Sequence, residues 1–439
     1  MSGRKVVVVG AGAAGLLAAG RAAQKGAAVT LLEKMERPGK KVLISGNTRC
    51  NLTNMLSLDG FISMYGANGK FLYPAFTRFF REELLELLGR YGVRTMVEPG
   101  GRVFPASGRA AGVVRALQQY LQENGVNLVT GTRVDAIDII EGHAAAVKTA
   151  GAVYPADAVV LAAGGASYPQ TGSAGDGYRM AAALGHAVVK LRPALVPLMV
   201  KETAKAVALR GVSLQDARLT SFACPAQEIP VSQTPHHDCG RGIGGRRPRP
   251  PVIESRGGGL IFTHYGVSGP AVLLMSLAVA DALESGPASL SIDLLPATGQ
   301  KQLAVELQSA FDRHGGRFVQ NILEVLVPGR VAAMVLDNAG VNPEVKSGRV
   351  SAGQREAVSR TLKDLRFNIH KTRPLAEAMV TAGGVSLAGV DPRTMQSKLV
   401  KGLYFCGEVL DIDADTGGFN LQAAFSTGFL AGESAAMPG

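Results

Sequence analysis

The hydrophobic pattern of the chain is densest at its start. Val6 to Val9 are four consecutive valines, an apolar, β-branched run that fits a strand buried on both faces. It passes directly into Gly10, Gly12 and Gly15 and an alanine-rich helical stretch. Ala28 to Leu32 predicts the next strand and is followed by Glu33. Phe71 to Tyr91 carries Phe76, Phe79, Phe80, Leu84, Leu87 and Leu88 at helical spacing, which predicts one amphipathic helix with a core-facing stripe. Ala110 to Glu123 predicts a further helix, Asn127 to Val134 a strand, and Ala144 to Thr149 with Ala152 to Ala156 a hairpin about Gly151. Ala158 to Gly165 is a second buried run, ending in two glycines, and a helix begins at Gly177. Strands alternating with helices predict a doubly wound α/β domain with a small β insertion.

The pattern changes near Leu191. LRPALVPLMV sets short apolar runs between prolines and reads as a linker into a β-rich module. Val212 to Ala223 alternates as a strand does. Gln227 to Gly259 is poor in apolar residues and crowded with Pro, Gly, His and Arg, so it reads as a flexible basic surface loop. Leu260 to Thr263 and Leu290 to Leu294 are predicted strands. His264 to Pro270 is a turn, and Ala271 to Leu283 a helix. Gln300 to Phe311, Phe318 to Leu326, Val331 to Leu336 and Ser351 to Leu362 are short helical segments, and Arg366 to Ile369 leads back. Lys401 to Cys406 is a last strand. DTGGFNLQA at 415–423 then opens a final helix, Leu421 to Gly432.

The glycine-rich turn carries the first candidate chemistry. Gly10 permits the tight turn, Gly12 lets backbone approach a pyrophosphate, and Gly15 allows close helix–strand packing. The helix N-terminus supplies N–H groups and the positive end of a dipole. Glu33 stands at about the twenty-residue offset of a ribose-binding acid. An ordinary βαβ turn is the alternative. The following stretch, Lys34 to Asn54, is a polar loop in which Lys40, Lys41 and Arg49 suit phosphates. Ser45, Asn47 and Asn51 suit the edge of a heteroaromatic ring. A solvated turn would look similar.

Composition changes the picture in three ways. No apolar run reaches the roughly 18 residues of a membrane span, and the first strand begins too early for a signal peptide, so a cytoplasmic protein is expected. Cys50, Cys224, Cys239 and Cys406 are scattered and form no CxxC pair, so they suggest neither a zinc site nor a disulfide framework, and no metal site is assigned. The net charge of +11 suits a polyanionic partner such as nucleic acid, although many proteins are simply basic. Arg241, Arg246, Arg247 and Arg249 in the Gln227 to Gly259 stretch suit RNA phosphates, or mark a disordered insertion.

Four stretches together resemble one family. They are VVVVGAGAAG at 6–15, ISGNTRCNLTN at 44–54, FTHYGVSGP at 262–270, and the long run from Thr381 to Gly432. They are similar to bacterial flavoproteins of the BaiN/YhiN type, which include aminoacetone-oxidase-like proteins and a ribosomal RNA dihydrouridine synthase branch. The resemblance implies FAD as cofactor and a Rossmann-like FAD domain over residues 1–190 and 373–439. It also implies an inserted β-barrel-like module over 191–295 and a small helical module over 296–372. By this resemblance Gly10, Gly12, Ala13, Ala14 and Gly15 meet the pyrophosphate and Glu33 the ribose, with Lys34, Lys40, Lys41 and Arg49 beside the cofactor. Ser45, Gly46, Asn47, Cys50 and Asn51 form the flavin-side loop, and the backbone of Val134 meets adenine. Ala163, Gly164 and Gly165 return to the cofactor, Gly407 and Glu408 meet the ribityl end, and Gly418, Asn420, Leu421, Gln422 and Ala423 the pyrimidine edge.

The resemblance leaves the substrate open. One expectation is reduction of uridine to dihydrouridine in large-subunit ribosomal RNA, which the positive charge favours. Others are oxidation of a small amine such as aminoacetone, or a non-catalytic flavin protein that docks on RNA. Reducing a nucleobase C=C needs a positioned proton donor. Cys50 is the first choice and His264 the second, each with a plain packing role as the alternative. No second GxGxxG follows a strand, so NAD(P)H is expected as an external reductant.

Overall fold

The computed structural model describes residues 3–229 and 251–437. The chain divides into two compact units: Met1–Arg192 with Leu375–Gly439, and Pro193–Pro374.

The first unit is built on a five-stranded parallel sheet. Its strand order is Leu403–Phe405, Ala158–Leu161, Lys5–Val9, Ala28–Leu32 and Asn127–Val129. Val6 to Val9 pair with both neighbours and are almost wholly buried, as an unbroken β-branched run requires. From this strand the chain goes to one side for the second strand and later to the other for Ala158–Leu161. The carboxyl ends of the two inner strands therefore flank a topological switch point, the place where open α/β sheets bind ligands.

The first helix, Ala13–Gln24, and the last, Phe419–Ala436, pack backbone to backbone. A Cβ on Gly428 would fall 2.3 Å from the Ala14 carbonyl oxygen, and one on Gly432 would fall 2.1 Å from that of Ala18. Around this core lie a sheet of Val134–Ile140, His143–Thr149 and Val153–Pro155 and a small sheet of Thr53–Asn54, Arg102–Pro105 and Thr95–Glu98. A further strand pair joins Val188–Ala194 to Val380–Val385.

The second unit holds a closed six-stranded antiparallel barrel. Around it run Leu198–Val200, Gly266–Ser268, Val252–Phe262, Ser213–Phe222, Ala288–Asp293 and Leu365–Thr372. The helices Pro270–Ser285, Gln300–Arg313, Val319–Leu323, Gly329–Asn338 and Ala352–Lys363 complete its core. Among the described residues, no helix is long and apolar enough to cross a membrane.

Several local expectations need correction. Phe71 to Tyr91 is not one helix. Helix Tyr73–Arg78 stops where Phe79 turns extended, and Arg81–Arg90 restarts with the Glu83 carboxylate accepting from the Phe80 amide at 2.9 Å. Asn127 to Val134 is two strand ends separated by a turn at Gly131, which has positive φ. The stretch read as a linker contributes strand Leu198–Val200, whose partners Val267 and Thr372 are far along the chain. Val252 to Gly259, placed in the basic loop, is barrel strand. Residues 230–250, with Arg241 to Arg249, lie outside the described residues.

Candidate active site

The site is assembled from turns at the carboxyl ends of the parallel strands. Gly10 adopts φ +99° and donates to the Leu32 carbonyl at 2.8 Å, and a Cβ there would lie 2.6 Å from the Ala162 carbonyl oxygen. A Cβ on Gly15 would come within 1.8 Å of the Gly10 carbonyl oxygen. Gly12 differs: a Cβ there would meet nothing within 4 Å. It caps the first helix without a side-chain bond, and no acidic residue stands in the first turn. Ala13 and Ala14 are buried and contribute backbone alone. The result is an open notch facing uncapped helix N–H groups, which suits an anion.

Glu33 is nearly buried. Its Oε2 accepts from the Ala11 amide at 2.7 Å and its Oε1 from the Met35 amide at 2.8 Å. A carboxylate has about four acceptor sites, so capacity remains for vicinal hydroxyls. The Gly131 and Thr132 amides donate to the Met35 and Glu33 carbonyls. This lays the approach to Val134 alongside Glu33, with the Val134 side chain buried.

Three of the basic residues expected beside the cofactor are paired with carboxylates. Lys34 Nζ lies 2.6 Å from Asp176, which also takes Arg133 at 2.7 Å. Burial works to raise the Asp176 pKa, but the bonds and charges of Lys34 and Arg133 outweigh it and hold it low. Arg49 pairs with Glu98. Lys41 Nζ donates to Glu408 at 2.6 Å and to Ser167 Oγ at 2.7 Å. Lys40 is half-buried at the head of the short helix Lys40–Ile44, inside a stretch read as loop.

The Lys41–Glu408 pair belongs to a larger latch. Glu408 Oε1 accepts from the Thr381 amide at 3.0 Å, and Thr381 Oγ1 accepts from the Ala166 amide at 2.9 Å. Gly165 makes room for this, since a Cβ there would sit 2.5 Å from Thr381 Oγ1. Gly407 packs on Ala14, and Gly10 faces Ala162 and Ala163. The structure thus brings together the glycine-rich turn, Ala163 to Gly165, Lys41, and Gly407 with Glu408. Ser167, Thr381 and Tyr178, whose hydroxyl donates to the Glu408 carbonyl at 3.0 Å, escaped the sequence reading. Each serves a partner far along the chain.

The flavin-side loop is strained. Asn47, Thr48 and Cys50 have φ of 54°, 66° and 64°, and Gly46 has 55°. Left-handed backbone is uncommon for residues with a side chain. Here it is fixed by Cys50 N–H on Ser45 O at 3.0 Å, Ala110 N–H on Thr48 O at 2.9 Å, and the Arg49 guanidinium over the Phe104 ring. Ser45 Oγ donates to the Val42 carbonyl at 2.8 Å. With its amide oriented to satisfy both ends, Asn51 donates to the Val103 and Thr53 carbonyls and accepts from the Gly418 amide at 3.1 Å. Asn51 therefore ties the loop to the start of the last helix.

That helix presents backbone rather than side chains. Gly418, at φ +97°, sits where a Cβ would fall 2.4 Å from the Thr53 carbonyl oxygen. Asn420 spends its amide on Ala414, accepting from N at 3.0 Å and donating to O at 2.7 Å. Gln422 is fully buried and donates to Ser426 Oγ at 3.0 Å. Ala423 is buried, and Leu421 is half-buried. The first-turn N–H groups have no intrahelical acceptor.

The two proton-donor candidates fare differently. Cys50 is 0% exposed, and burial pushes its thiol up to about 12 against the opposing hydrogen bond with Ser45. A sulfur sealed from solvent and so weakly acidic is poorly set up to hand a proton to a substrate. His264 is exposed, in the second unit, between strands Val252–Phe262 and Gly266–Ser268. Its ring meets Tyr265 edge-on at 4.8 Å, and Arg373 lies over Tyr265 at 4.8 Å.

Known proteins resemble the chain along its whole length. It is 32% identical to a 3-dehydro-bile acid delta(4,6)-reductase of Clostridium scindens, over 98% of this chain and 99% of that one. It is 28% identical to a ribosomal RNA dihydrouridine synthase of Escherichia coli, over 96% and 95%. A protein of the same description from Haemophilus influenzae is also 28% identical, over 96% of each chain. The model of the HI0933-like protein Rossmann domain matches residues 4–434, and the chain belongs to that family of FAD-dependent oxidoreductases.

Proposed function

We propose that the protein reduces uridine to dihydrouridine in large-subunit ribosomal RNA, with NAD(P)H as the external reductant. The residues of the first unit fit FAD. The open notch at Gly12 accepts a pyrophosphate, Glu33 retains capacity for ribose hydroxyls, and the latch at Lys41 and Glu408 borders the ribityl chain. The N–H groups after Gly418 suit the electron-rich pyrimidine edge. Bound there, FAD would supply hydride for transfer to carbon.

The names of the relatives share one kind of chemistry. A delta(4,6) double bond of a 3-dehydro steroid and the C5=C6 bond of uracil are both conjugated to a carbonyl. Hydride to the carbon remote from the carbonyl, and a proton to the nearer one, reduces either. Neither name speaks of amines. With Cys50 sealed, we assign the proton to His264, an exposed imidazole able to exchange with solvent. The chain's task is then to hold the base, exclude water from the hydride path and deliver this proton. The target base must also leave its stack.

The observation that carries RNA over a small substrate is charge. Lys and Arg outnumber Asp and Glu in both units, 25 against 20 in the first and 21 against 15 in the second. A positive field spread over the whole chain suits a polyanion larger than either unit's site. A small conjugated enone is the second reading, favoured by the 32% relative.

The test uses FAD-loaded protein reduced anaerobically and mixed with ribosomal RNA from a strain lacking the gene. Stoichiometric dihydrouridine by nucleoside mass spectrometry, matching flavin reoxidation, is the expected result. Unchanged RNA together with reduction of a 3-oxo-4,6-diene steroid would overturn it, as would reoxidation by air driven by an amine.

A further inference from the structure

The flavin-side loop is backed by a small, charged, aromatic-centred surface to which the proposed reaction assigns no contact with substrate. Strands Thr95–Glu98 and Arg102–Pro105 form a hairpin in which Glu98 pairs with Arg102, and Met96 with Phe104. Successive side chains alternate between sheet faces, so these four share one face. Arg49 joins them from the loop. Its guanidinium carbon lies 4.2 Å from the Phe104 ring centre, and that of Arg102 lies 5.9 Å from the same centre. Glu98 serves both: Oε1 pairs with Arg49, and Oε2 is 3.8 Å from Arg102 Nη2. Arg102 is steadied further by Nε on the Pro99 carbonyl at 3.2 Å.

Two guanidiniums thus share one ring and one carboxylate, leaving a net charge of one. Neither is sealed: the Arg49 side chain is 39% exposed and that of Arg102 47%. Phe104 is buried, so the ring orients the guanidiniums and is not itself a stacking platform. Stacking and the shared carboxylate limit the conformations of both side chains, which lowers the entropy lost when a second anion binds. The cluster also touches the loop directly, because a Cβ on Gly46 would lie 3.4 Å from Phe104 Cε1.

We propose that Arg49 and Arg102 form a phosphate clamp for the RNA backbone beside the reacting nucleotide, with Glu98 as a built-in competitor that the phosphate displaces. This rests on the RNA reading above and names how the strand is gripped next to the cofactor loop. The fork of an arginine matches two phosphate oxygens. Having Glu98 hold the pair in the free protein weakens binding to any stray anion while keeping both forks aligned.

The proposal predicts effects of opposite sign. Binding of a labelled oligouridylate to the FAD-loaded protein is followed across salt. Arg102→Ala lowers affinity and reduces the slope of log affinity against log salt by about 0.7, the value for one single-strand phosphate contact. Glu98→Gln removes the competitor and raises affinity several-fold at low salt. A misfolded variant does not bind more tightly, so this second change guards the first. Arg102→Lys keeps the slope and loses part of the affinity. The clamp is overturned if Arg102→Ala and Glu98→Gln both bind as the unaltered protein does, or if the unaltered protein does not bind oligouridylate. It is also overturned if Arg102→Ala weakens only a small carboxylated enone. Dihydrouridine formation is scored separately: salt-dependent binding with these signs but no dihydrouridine sinks the reading of function and leaves the clamp standing.

Discussion

Two turns hold the candidate site, and they are made in opposite ways. The turn at Gly10 to Gly15 works by lacking side chains. Two of its glycines are pressed against backbone, and the third leaves open space. The loop at Gly46 to Cys50 works by forcing side-chain-bearing residues into left-handed backbone. Asn47, Thr48 and Cys50 are held there by Cys50 N–H on the Ser45 carbonyl, Ala110 N–H on the Thr48 carbonyl and the stacking of Arg49 on Phe104. The first arrangement is cheap and local. The second stores about 1 kcal/mol or more per residue, and only surrounding structure can hold it. A pyrophosphate needs the same backbone surface whatever the reaction. A reacting ring needs a shape particular to one chemistry, and strained backbone collects at such places.

The largest effect comes from testing whether glycine is required for packing or for approach. Gly15→Ala would put a Cβ 1.8 Å from a backbone oxygen. Helix and strand must then separate, at a cost of about 4 kcal/mol or more. Denaturant melts should show this, with loss of bound FAD. Gly12→Ala meets nothing in the protein, so its stability should stay within about 0.5 kcal/mol. Its FAD affinity should fall roughly tenfold, or about 1.4 kcal/mol, because the methyl fills the notch. If Gly12→Ala holds FAD as tightly as before, the notch is not where the pyrophosphate lies.

This contrast also explains what the sequence discloses. Gly10, Gly12 and Gly15 are legible because their requirement is met within a few residues. Val6 to Val9 are legible because burial on both faces demands an unbroken apolar run. Lys41 is not. Near a phosphate motif it is read for its charge alone, and its bond to Glu408, 367 residues away, leaves no local signal. The bonds of Asn420 to Ala414 are likewise invisible in the motif that places it at the ring edge. Strand Leu198–Val200 hid between prolines because its partners are distant, and the break at Phe79 hid because both halves carry the same apolar stripe. Pattern reports which face is buried; it does not report which polar atom a side chain finds.

A smaller effect separates strain from mere shape in the loop. Thr48 is β-branched and exposed, with φ +66°. Its backbone carbonyl, not its side chain, accepts from Ala110. Thr48→Gly keeps that bond and removes the steric cost, offset by the added freedom of glycine in the unfolded chain. A net gain of about 0.5–1 kcal/mol is expected in urea unfolding. If the strain positions the loop, turnover falls as stability rises. A loss of stability instead would mean that Thr48 rests comfortably, and the contrast between the two turns would lose its energetic half.

The smallest effect concerns Cys50, where the loop's conformation and the earlier chemical assignment meet. Its thiol lies at 0% exposure with a pKa raised from 9.0 to about 12 by burial, opposed by the Ser45 bond. Below pH 9 the thiol is protonated in both folded and unfolded chains. As pH rises past 9 the unfolded chain ionises first, so the stabilising contribution of the buried thiol declines toward pH 12. Cys50→Ala should therefore blunt alkaline unfolding and cost about 1 kcal/mol of packing at neutral pH. Its turnover should stay within about twofold and its pH–rate profile should keep its shape, since a group that titrates near 12 contributes no limb below pH 10. Loss of turnover with FAD fully retained would return Cys50 to the chemistry and would mean that the loop opens during the reaction. Its left-handed run would then be a spring rather than a fixed support.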